Sequence, residues 1–283
     1  MSAHVGVVTC SVANIDPDQP LLLAALQSAG LRASAPVWDD ARVDWSQFDL
    51  VVLRSAWDYA PRRSEFLNWA QSVERLHNPY AVIERNSDKH YLADLARAGS
   101  PVIETQFVDV GDVAQFPSGP FVVKPTVGAG SLDAERYAPG DEQSALAHVS
   151  RLHAEQRDVM VQPYVESVDT EGETALIFIG GQFAHAMNKS AMLNVDQEDR
   201  NALFRREQMR SITVTPQTVR FAETALGHLD AGDLLYARVD LVRHGDGWAV
   251  MEVELTEPSL FLSSQPPVAD LLARAIRARV ASL

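Results

Sequence analysis

Cysteine is almost absent. Cys10 is the single one in 283 residues. That excludes an internal disulfide and any zinc site built on several thiols, and the composition reads as that of a chain in a reducing, cytoplasmic setting. Nothing beside Cys10 in the sequence activates a thiol, so it reads as a small residue at a strand end. Positive charge is also scarce. Lys and Arg number 24 against 38 Asp and Glu, for a formal net charge of -14. No basic run breaks this balance, which argues against a nucleic-acid partner. No apolar run approaches the roughly 20 residues a membrane helix needs. The first residues lack the basic-then-apolar pattern of a signal peptide. No tract of low complexity and no internal repeat interrupts the chain.

What is present is an ordinary globular balance, 46% hydrophobic and 22% charged, in a chain long enough for two or three packed lobes. The apolar runs predict an α/β fold. Val5–Thr9, Arg32–Val37 and Phe48–Leu53 read as strands, with helices opening at Asp18-Gln19-Pro20 and running from Ser64 to Leu76, which makes a small parallel lobe. A further helix is predicted to open at Asn86-Ser87-Asp88 and to end at Gly99. Strands follow at Val102–Thr105, Phe121–Lys124 and Val159–Gln162, with a helix between the last two. Thr174–Ile179 and Gln182–Ala186 read as a hairpin about Gly180-Gly181. Helices are predicted near Gln217–Leu229 and Val268–Val280.

The most informative stretch is a second hairpin. Leu235–Val242 and Val250–Leu255 both alternate, joined by the turn Arg243-His244-Gly245-Asp246-Gly247. Centring it near Asp246 sets Asp240 across from Glu252 and Arg238 across from Glu254. Residues two apart share a face, so three carboxylates and an arginine gather on one side, with Val239, Leu241, Met251, Val253 and Leu255 on the other. Like charges placed opposite one another are destabilising. A divalent cation held by oxygen ligands relieves that repulsion; a solvated face with an Arg238–Glu254 surface pair is the other reading.

Three weaker features accompany it. In Phe121–Ser131 a buried strand delivers Lys124 into a loop containing Gly128, Gly130 and Ser131. Backbone amides there can approach phosphate oxygens, and the lysine adds a point charge. The loop is neither a Walker loop nor a dinucleotide fingerprint, and a plain hairpin tip with a surface lysine fits it as well. Lys89 sits in the first turn of its predicted helix if Ser87 caps it, where a cation is unfavourable unless an anion arrives. Pro163 breaks strand pairing between Gln162 and Tyr164-Val165, leaving backbone groups free for an adenine edge. Glu173 is placed for ribose hydroxyls.

The order Lys89, Lys124 with its loop, Gln162–Val165, Glu173, Arg238/Asp240, Glu252/Glu254, closed by Thr256-Glu257-Pro258-Ser259, resembles the ATP-grasp superfamily over roughly residues 85 to 265. It is most similar to the glutathione-synthetase and RimK-like branch. Val52–Tyr59, Asn86–Leu92 and Glu257–Leu262 are similar to the group containing the D-cycloserine-forming cyclo-ligase. The resemblance implies an N-terminal α/β substrate-side lobe at 1–85, a central lobe with the glycine loop at 86–165, and a C-terminal lobe with the metal hairpin at 166–283. It further implies Lys89 and Lys124 on the phosphates of ATP, with Gly128, Gly130 and Ser131 over them. Gln162, Tyr164 and Val165 would line the adenine pocket, and Glu173 would bind ribose. Arg238 would stabilise the phosphoryl group in flight. Asp240, Glu252 and Glu254 would hold magnesium, two ions with manganese able to substitute. Many members carry asparagine where Glu254 stands, and the loop here is short of glycine. Small-molecule amino-acid substrates are implied, and a homodimer is compatible.

Asn188–Thr215 is polar and aperiodic and reads as a long loop or lid. Lys189, Arg205 and Arg206 there either clamp an anion or are solvated charges; Lys189, directly after a predicted strand, is the candidate catalytic cation. Arg54, Ser55 and Asp58 end a strand of the first lobe, where open α/β sheets gather ligands, and with Ser259 are the candidate substrate residues. Trp57 and Tyr59 read as interlobe packing. The expected activity is ADP-forming, magnesium-dependent ligation through a phosphorylated carboxyl or ureido-type group of a small amino-acid derivative, with cyclisation of an O-ureido-serine-like compound as its specific form. An intermolecular amino-acid ligase and a non-catalytic ATP-binding regulator are the alternatives.

Overall fold

Strands that are apolar on both faces need cover on both faces, and the first sheet shows how the chain supplies it. In the computed structural model, which describes residues 2–190 and 209–283, β1 (His4–Thr9), β2 (Arg32–Ser34), β3 (Leu50–Ser55) and β4 (Leu76–His77) form a parallel sheet of order β2-β1-β3-β4. Val5, Val7, Leu50 and Val52 of one face join a core with Leu22 and Leu26 of α1 (Gln19–Ser28) and Leu272 and Ile276 of α8 (Pro266–Ala281). Val8, Val51 and Leu53 of the other face pack with Phe66 and Ala70 of α2 (Arg63–Ser72). Two expectations shorten here. The strand predicted to Val37 stops at Ser34, and the helix predicted to Leu76 stops at Ser72 because Leu76 and His77 are drawn into the sheet against Val51 and Val52.

The connection to the second sheet also differs. Tyr80–Asn86 is itself a helix, α3, and Ser87 follows its C-terminal end. The Ser87 hydroxyl donates to the Glu84 carbonyl at 3.1 Å and does not cap the next helix, α4 (Tyr91–Arg97). Val102 makes only an isolated bridge to Val250, and the strand predicted at 102–105 is displaced to β5 (Gln106–Val108). β6 (Phe121–Pro125), β7 (Glu135–Tyr137) and β8 (Val159–Pro163) complete an antiparallel sheet of order β5-β8-β6-β7, covered by α5 (Glu142–Ala154).

The third sheet, order β11-β10-β9-β12-β13, is antiparallel throughout. It contains β9 (Glu173–Ile179), β10 (Gln182–Lys189), β11 (Met209–Ile212), β12 (Tyr236–His244) and β13 (Gly247–Glu254). The short helix α6 (Ser167–Glu171) precedes β9. Thr215 caps α7 (Pro216–His228), its side chain accepting from the Thr218 amide. One face of the sheet, with Leu176, Phe178, Val239, Leu241, Val250 and Val253, packs on Ala222 and Ala225 of α7. On the other face Ile177, Ile179 and Tyr236 enter the core shared with the first sheet.

The segment expected to lose regular structure from Asn188 to Thr215 is partly ordered. Asn188 and Lys189 end β10, paired to Arg210 and Met209 of β11. Residues 191–208, including Arg205 and Arg206, lie outside the described residues. Among the described residues no helix is long and apolar enough to cross a membrane.

Candidate active site

Alternation along four neighbouring strands builds the site. Glu173, Ala175 and Ile177 share one face of β9, and Lys189 sits opposite Glu173. Asp240 pairs with Ala175, and Arg238 with Ile177. On β13, Glu252 faces Asp240 and Glu254 faces Arg238, the register predicted from the turn. One end of this face is apolar and buried; the other carries only charge. A bulge after Asp240 changes one detail. Leu241 pairs with Val250, so Val250 takes the apolar place expected for Met251, and Met251 lines the cleft instead.

The cleft runs between this charged face and the second sheet. Lys89, Lys124, Gly128, Gly130, Ser131, Gln162, Tyr164, Val165, Glu173, Lys189, Arg238, Glu252, Glu254 and Ser259 all line it. Lys89 is tied to the glycine loop twice: its amide donates to the Thr126 carbonyl at 2.9 Å and its ammonium to the Gly128 carbonyl at 3.0 Å. The Gln162 side chain is committed to Thr105 at 2.8 Å, and the Tyr164 amide to the Pro120 carbonyl at 2.8 Å. The Tyr164 amide is therefore not free for a base, as Pro163 had suggested. The Val165 amide has no partner among the described residues.

Cations and carboxylates interlock across the floor. Lys89 pairs with Glu252 at 3.1 Å, Lys189 with Glu173 at 3.1 Å and with Asp240 at 2.7 Å, and Arg238 with both Asp240 and Glu254. Burial opposes the charge on Lys89, but Glu252, Glu254 and Glu257 outweigh it and hold the ammonium above the ordinary lysine value. Burial likewise opposes ionisation of Asp240 and Glu252; Arg238 and Lys189 override it for Asp240, and Lys89 and Lys124 for Glu252, so both carboxyls titrate low. Glu254 goes the other way, pushed up to about 7 by burial and by Glu252 and Asp240 despite Arg238. Lys124 is the exception among the cations. It makes no ion pair among the described residues, and burial pulls its ammonium below the usual lysine value. A half-buried cation without an ion-pair partner, beside a glycine loop, is a seat for an anion.

The metal expectation needs correction in form. Among the described residues no group of three His, Cys, Asp or Glu side chains is arranged to hold a metal ion. Asp240 is 1% exposed and enclosed by Arg238 and Lys189, beneath the cleft lining. Glu252 and Glu254 do line the cleft. The donor set is all oxygen and suits a hard divalent ion, and the raised Glu254 carboxyl reflects burial first and then the repulsion from Glu252 and Asp240, which such an ion relieves.

Three residues expected to meet substrate do not line the cleft. Arg54 is 1% exposed, its guanidinium over the Tyr236 ring and donating to the Pro258 carbonyl at 2.8 Å. Ser55 is fully buried and hydrogen-bonds Thr9. Asp58 accepts from Trp38 at 2.8 Å and Arg62 at 2.9 Å. Arg54 thereby serves the joint between lobes, while Ser55 and Asp58 are tied within the first lobe. Conversely, Trp57 and Tyr59, read as packing, line the cleft, as do Asn86, Thr256 and Glu257. Asn86 pins the end of the hairpin, donating to the Val253 carbonyl and accepting from the Leu255 amide. Its place in a predicted helix-opening triplet hid that role.

Residues 5–78 match the family model described as the D-cycloserine synthetase DcsG N-terminal domain. The cycloserine biosynthesis protein DcsG of Streptomyces lavendulae is 40% identical, the match covering 94% of this chain and 95% of that protein. The crystal structure of D-cycloserine synthetase DcsG superposes with a TM-score of 0.87 at 37% identity, covering 98% of this chain and all of that one. The ATP-grasp ligase PsnB, solved with a precursor variant, Mg and ADP, matches in fold with a TM-score of 0.63 at 16% identity over 98% of both chains. Identity of 40% over 94% of the chain makes it a member of the DcsG family, and its fold is that of the ATP-grasp ligases.

Proposed function

We propose that the protein is an ADP-forming ligase that uses ATP to activate the carboxyl group of an O-ureido-serine-like amino acid and closes it to D-cycloserine. The observation that carries this reading is one cleft in which Lys89, Lys124 and the glycine loop face Arg238, Glu252, Glu254 and Ser259. The first set suits a triphosphate and the second a phosphoryl group on its way to a carboxylate. The kinship to DcsG supplies the substrate class.

The chain's own residues account for the steps. Lys124, with no carboxylate of its own, takes a phosphate oxygen, and Lys89 follows from its seat on the glycine loop. The Val165 amide is the free donor for the adenine edge, and Glu173 accepts from ribose. A carboxylate oxygen of the substrate attacks the terminal phosphorus and ADP leaves, while Arg238 balances charge on the equatorial oxygens. The acyl phosphate is then attacked by the ureido nitrogen attached to oxygen; a C–N bond forms, the nitrogen gives up its proton, and phosphate departs, leaving the carbamoyl group on the ring nitrogen. Water then hydrolyses that N–carbamoyl bond, the ring nitrogen takes up a proton, and the carbamate formed breaks down to carbon dioxide and ammonia, which gives D-cycloserine. Magnesium, when bound, neutralises the phosphate oxygens. Glu252 and Glu254 would hold it, and Asp240 would join them once Lys189 turns to the phosphates. A second ion and replacement by manganese extend this proposal.

We assign nucleotide binding to 86–165 with 166–283, and substrate selection to Trp57 and Tyr59 of the lobe of residues 1–85 together with the 257–259 segment. The test is ADP release on offering O-ureido-serine, with mass analysis of the product. A cyclic product formed without a second amine supports ring closure. A product that incorporates an added amino acid replaces it with intermolecular ligation, and tight ATP binding without ADP release replaces it with a regulator.

A further inference from the structure

Four glutamates line the cleft, and three are matched: Glu173 by Lys189, Glu252 by Lys89 and Glu254 by Arg238. Glu257 has no cation partner among the described residues, and its Oε2 has no hydrogen bond, although the residue is only 9% exposed. Its position is not slack. Trp57 Nε1 donates to the Glu257 carbonyl at 2.9 Å, Arg54 to the next carbonyl at Pro258 at 2.8 Å, and Arg238 to that of Ser259 at 3.2 Å. Three side chains from two lobes therefore fix the backbone that carries this carboxyl.

Leaving a buried carboxyl oxygen without a donor is unfavourable. Burial, then Glu254 and Glu252, push Glu257 up to about 8, and the Lys89 ammonium, too far away to form an ion pair, and the Tyr59 hydroxyl offset this only in part. Glu254 and Glu252 beside it repel a second anion. The missing partner is a cationic N–H donor, and in a cleft for an amino acid that donor is the ammonium group.

We propose that Glu257 anchors the α-ammonium of the amino-acid substrate, and that this subsite makes the enzyme demand an amino acid in preference to a plain carboxylic acid. The proposal rests on the reading that the substrate is an amino acid. It also gives Arg54 a purpose: a positioning residue that aims Glu257 through the Pro258 carbonyl.

The test is calorimetric binding of O-ureido-serine and of its deamino counterpart, 3-(ureidooxy)propanoic acid, to the full chain with magnesium and a nonhydrolysable ATP analogue. The wild type is expected to bind the deamino compound about 10- to 100-fold more weakly, the range for one buried charge-assisted hydrogen bond. Glu257→Gln is expected to weaken the amino acid by a similar factor and to discriminate less than about threefold, with Glu257→Asp between the two. A thermal shift with magnesium and ATP confirms that each variant is folded. Equal binding of both compounds by the wild type overturns the proposal whatever the variants do. So does full discrimination retained in Glu257→Gln, including when kcat falls. ADP release by the wild type separates the two readings. Discrimination without ADP release removes ring closure and leaves the subsite, and ring closure with discrimination unaffected by Glu257→Gln does the reverse.

Discussion

Arg238 and Asp240, two residues apart on β12, are joined by a two-pronged hydrogen bond. Arg238 Nε donates to Asp240 Oδ1 at 2.9 Å and Nη2 to Oδ2 at 3.0 Å, and Lys189 reaches the same Oδ2 at 2.7 Å. Asp240 is 1% exposed, so its carboxylate separates two buried cations. Asp240→Asn is expected to cost about 3–5 kcal/mol in unfolding free energy, as for a buried pair broken from one side. Denaturant unfolding measures this. A loss under about 1 kcal/mol contradicts the claim that Asp240 holds the floor together.

Glu252 lines the cleft, unlike Asp240 beneath it, and its partner Lys89 has a second acceptor in the Gly128 carbonyl. Glu252→Gln is expected to lower ADP release at least about a hundredfold while shifting stability by under about 2 kcal/mol. Steady-state kinetics beside thermal unfolding check it, and retained turnover removes Glu252 from the reacting centre.

Lys124 makes no ion pair among the described residues, and Glu252 and Glu173 only partly offset the cost of burying its charge. Lys124→Met is expected to leave stability unchanged or to raise it, because a desolvated charge is removed. ATP affinity is expected to fall about tenfold or more. Titration with ATP and a melting curve give the two halves, and a variant that loses both stability and ATP binding refutes the assignment.

Glu257 gives the metal-free, ligand-free protein a pH dependence of defined sign. Its folded value, about 8, lies above the ordinary 4.5. Between these values the folded state holds a proton that the unfolded state has lost. The contribution is therefore present below about pH 4.5, declines as pH rises, and is gone above about 8, with an upper bound of about 5 kcal/mol. Urea unfolding at pH 5.5 and 8 is expected to show lower stability at the higher pH, with a shallower decline in Glu257→Gln. An unaltered slope in that variant assigns the dependence elsewhere.

Asn78 is fully buried and bonds three backbone groups: its amide donates to the carbonyls of Tyr236 and Leu255, and its oxygen accepts from the Leu235 amide. Asn78→Ala leaves all three unpaired and is expected to cost about 3 kcal/mol or more in denaturant unfolding.

The strand register of the charged hairpin was legible because two alternating runs and a glycine-rich turn allow one alignment in which Val239, Leu241 and Val253 all turn inward. Met251 was not, since a bulge adds one residue without altering the apolar pattern around it. Lys124 and its loop were legible as strand plus glycines. Ser87 misled because a serine before an apolar run fits a helix end as well as a helix start. Arg54 misled for a related reason. Whether a polar side chain faces a ligand or a neighbouring loop is decided by contacts about 200 residues apart in sequence, Arg54 to Pro258 and Trp57 to Glu257. Local patterning carries no record of such contacts.

The packing of α8 against α1 has a kinetic side. Leu272 and Ile276 share one core with Val5 and Val7, so the earliest strand of the chain is sheltered by one of its latest helices. A contact closed over so many intervening residues raises the contact order of the fold, so this face of the sheet is expected to gain its cover late in refolding.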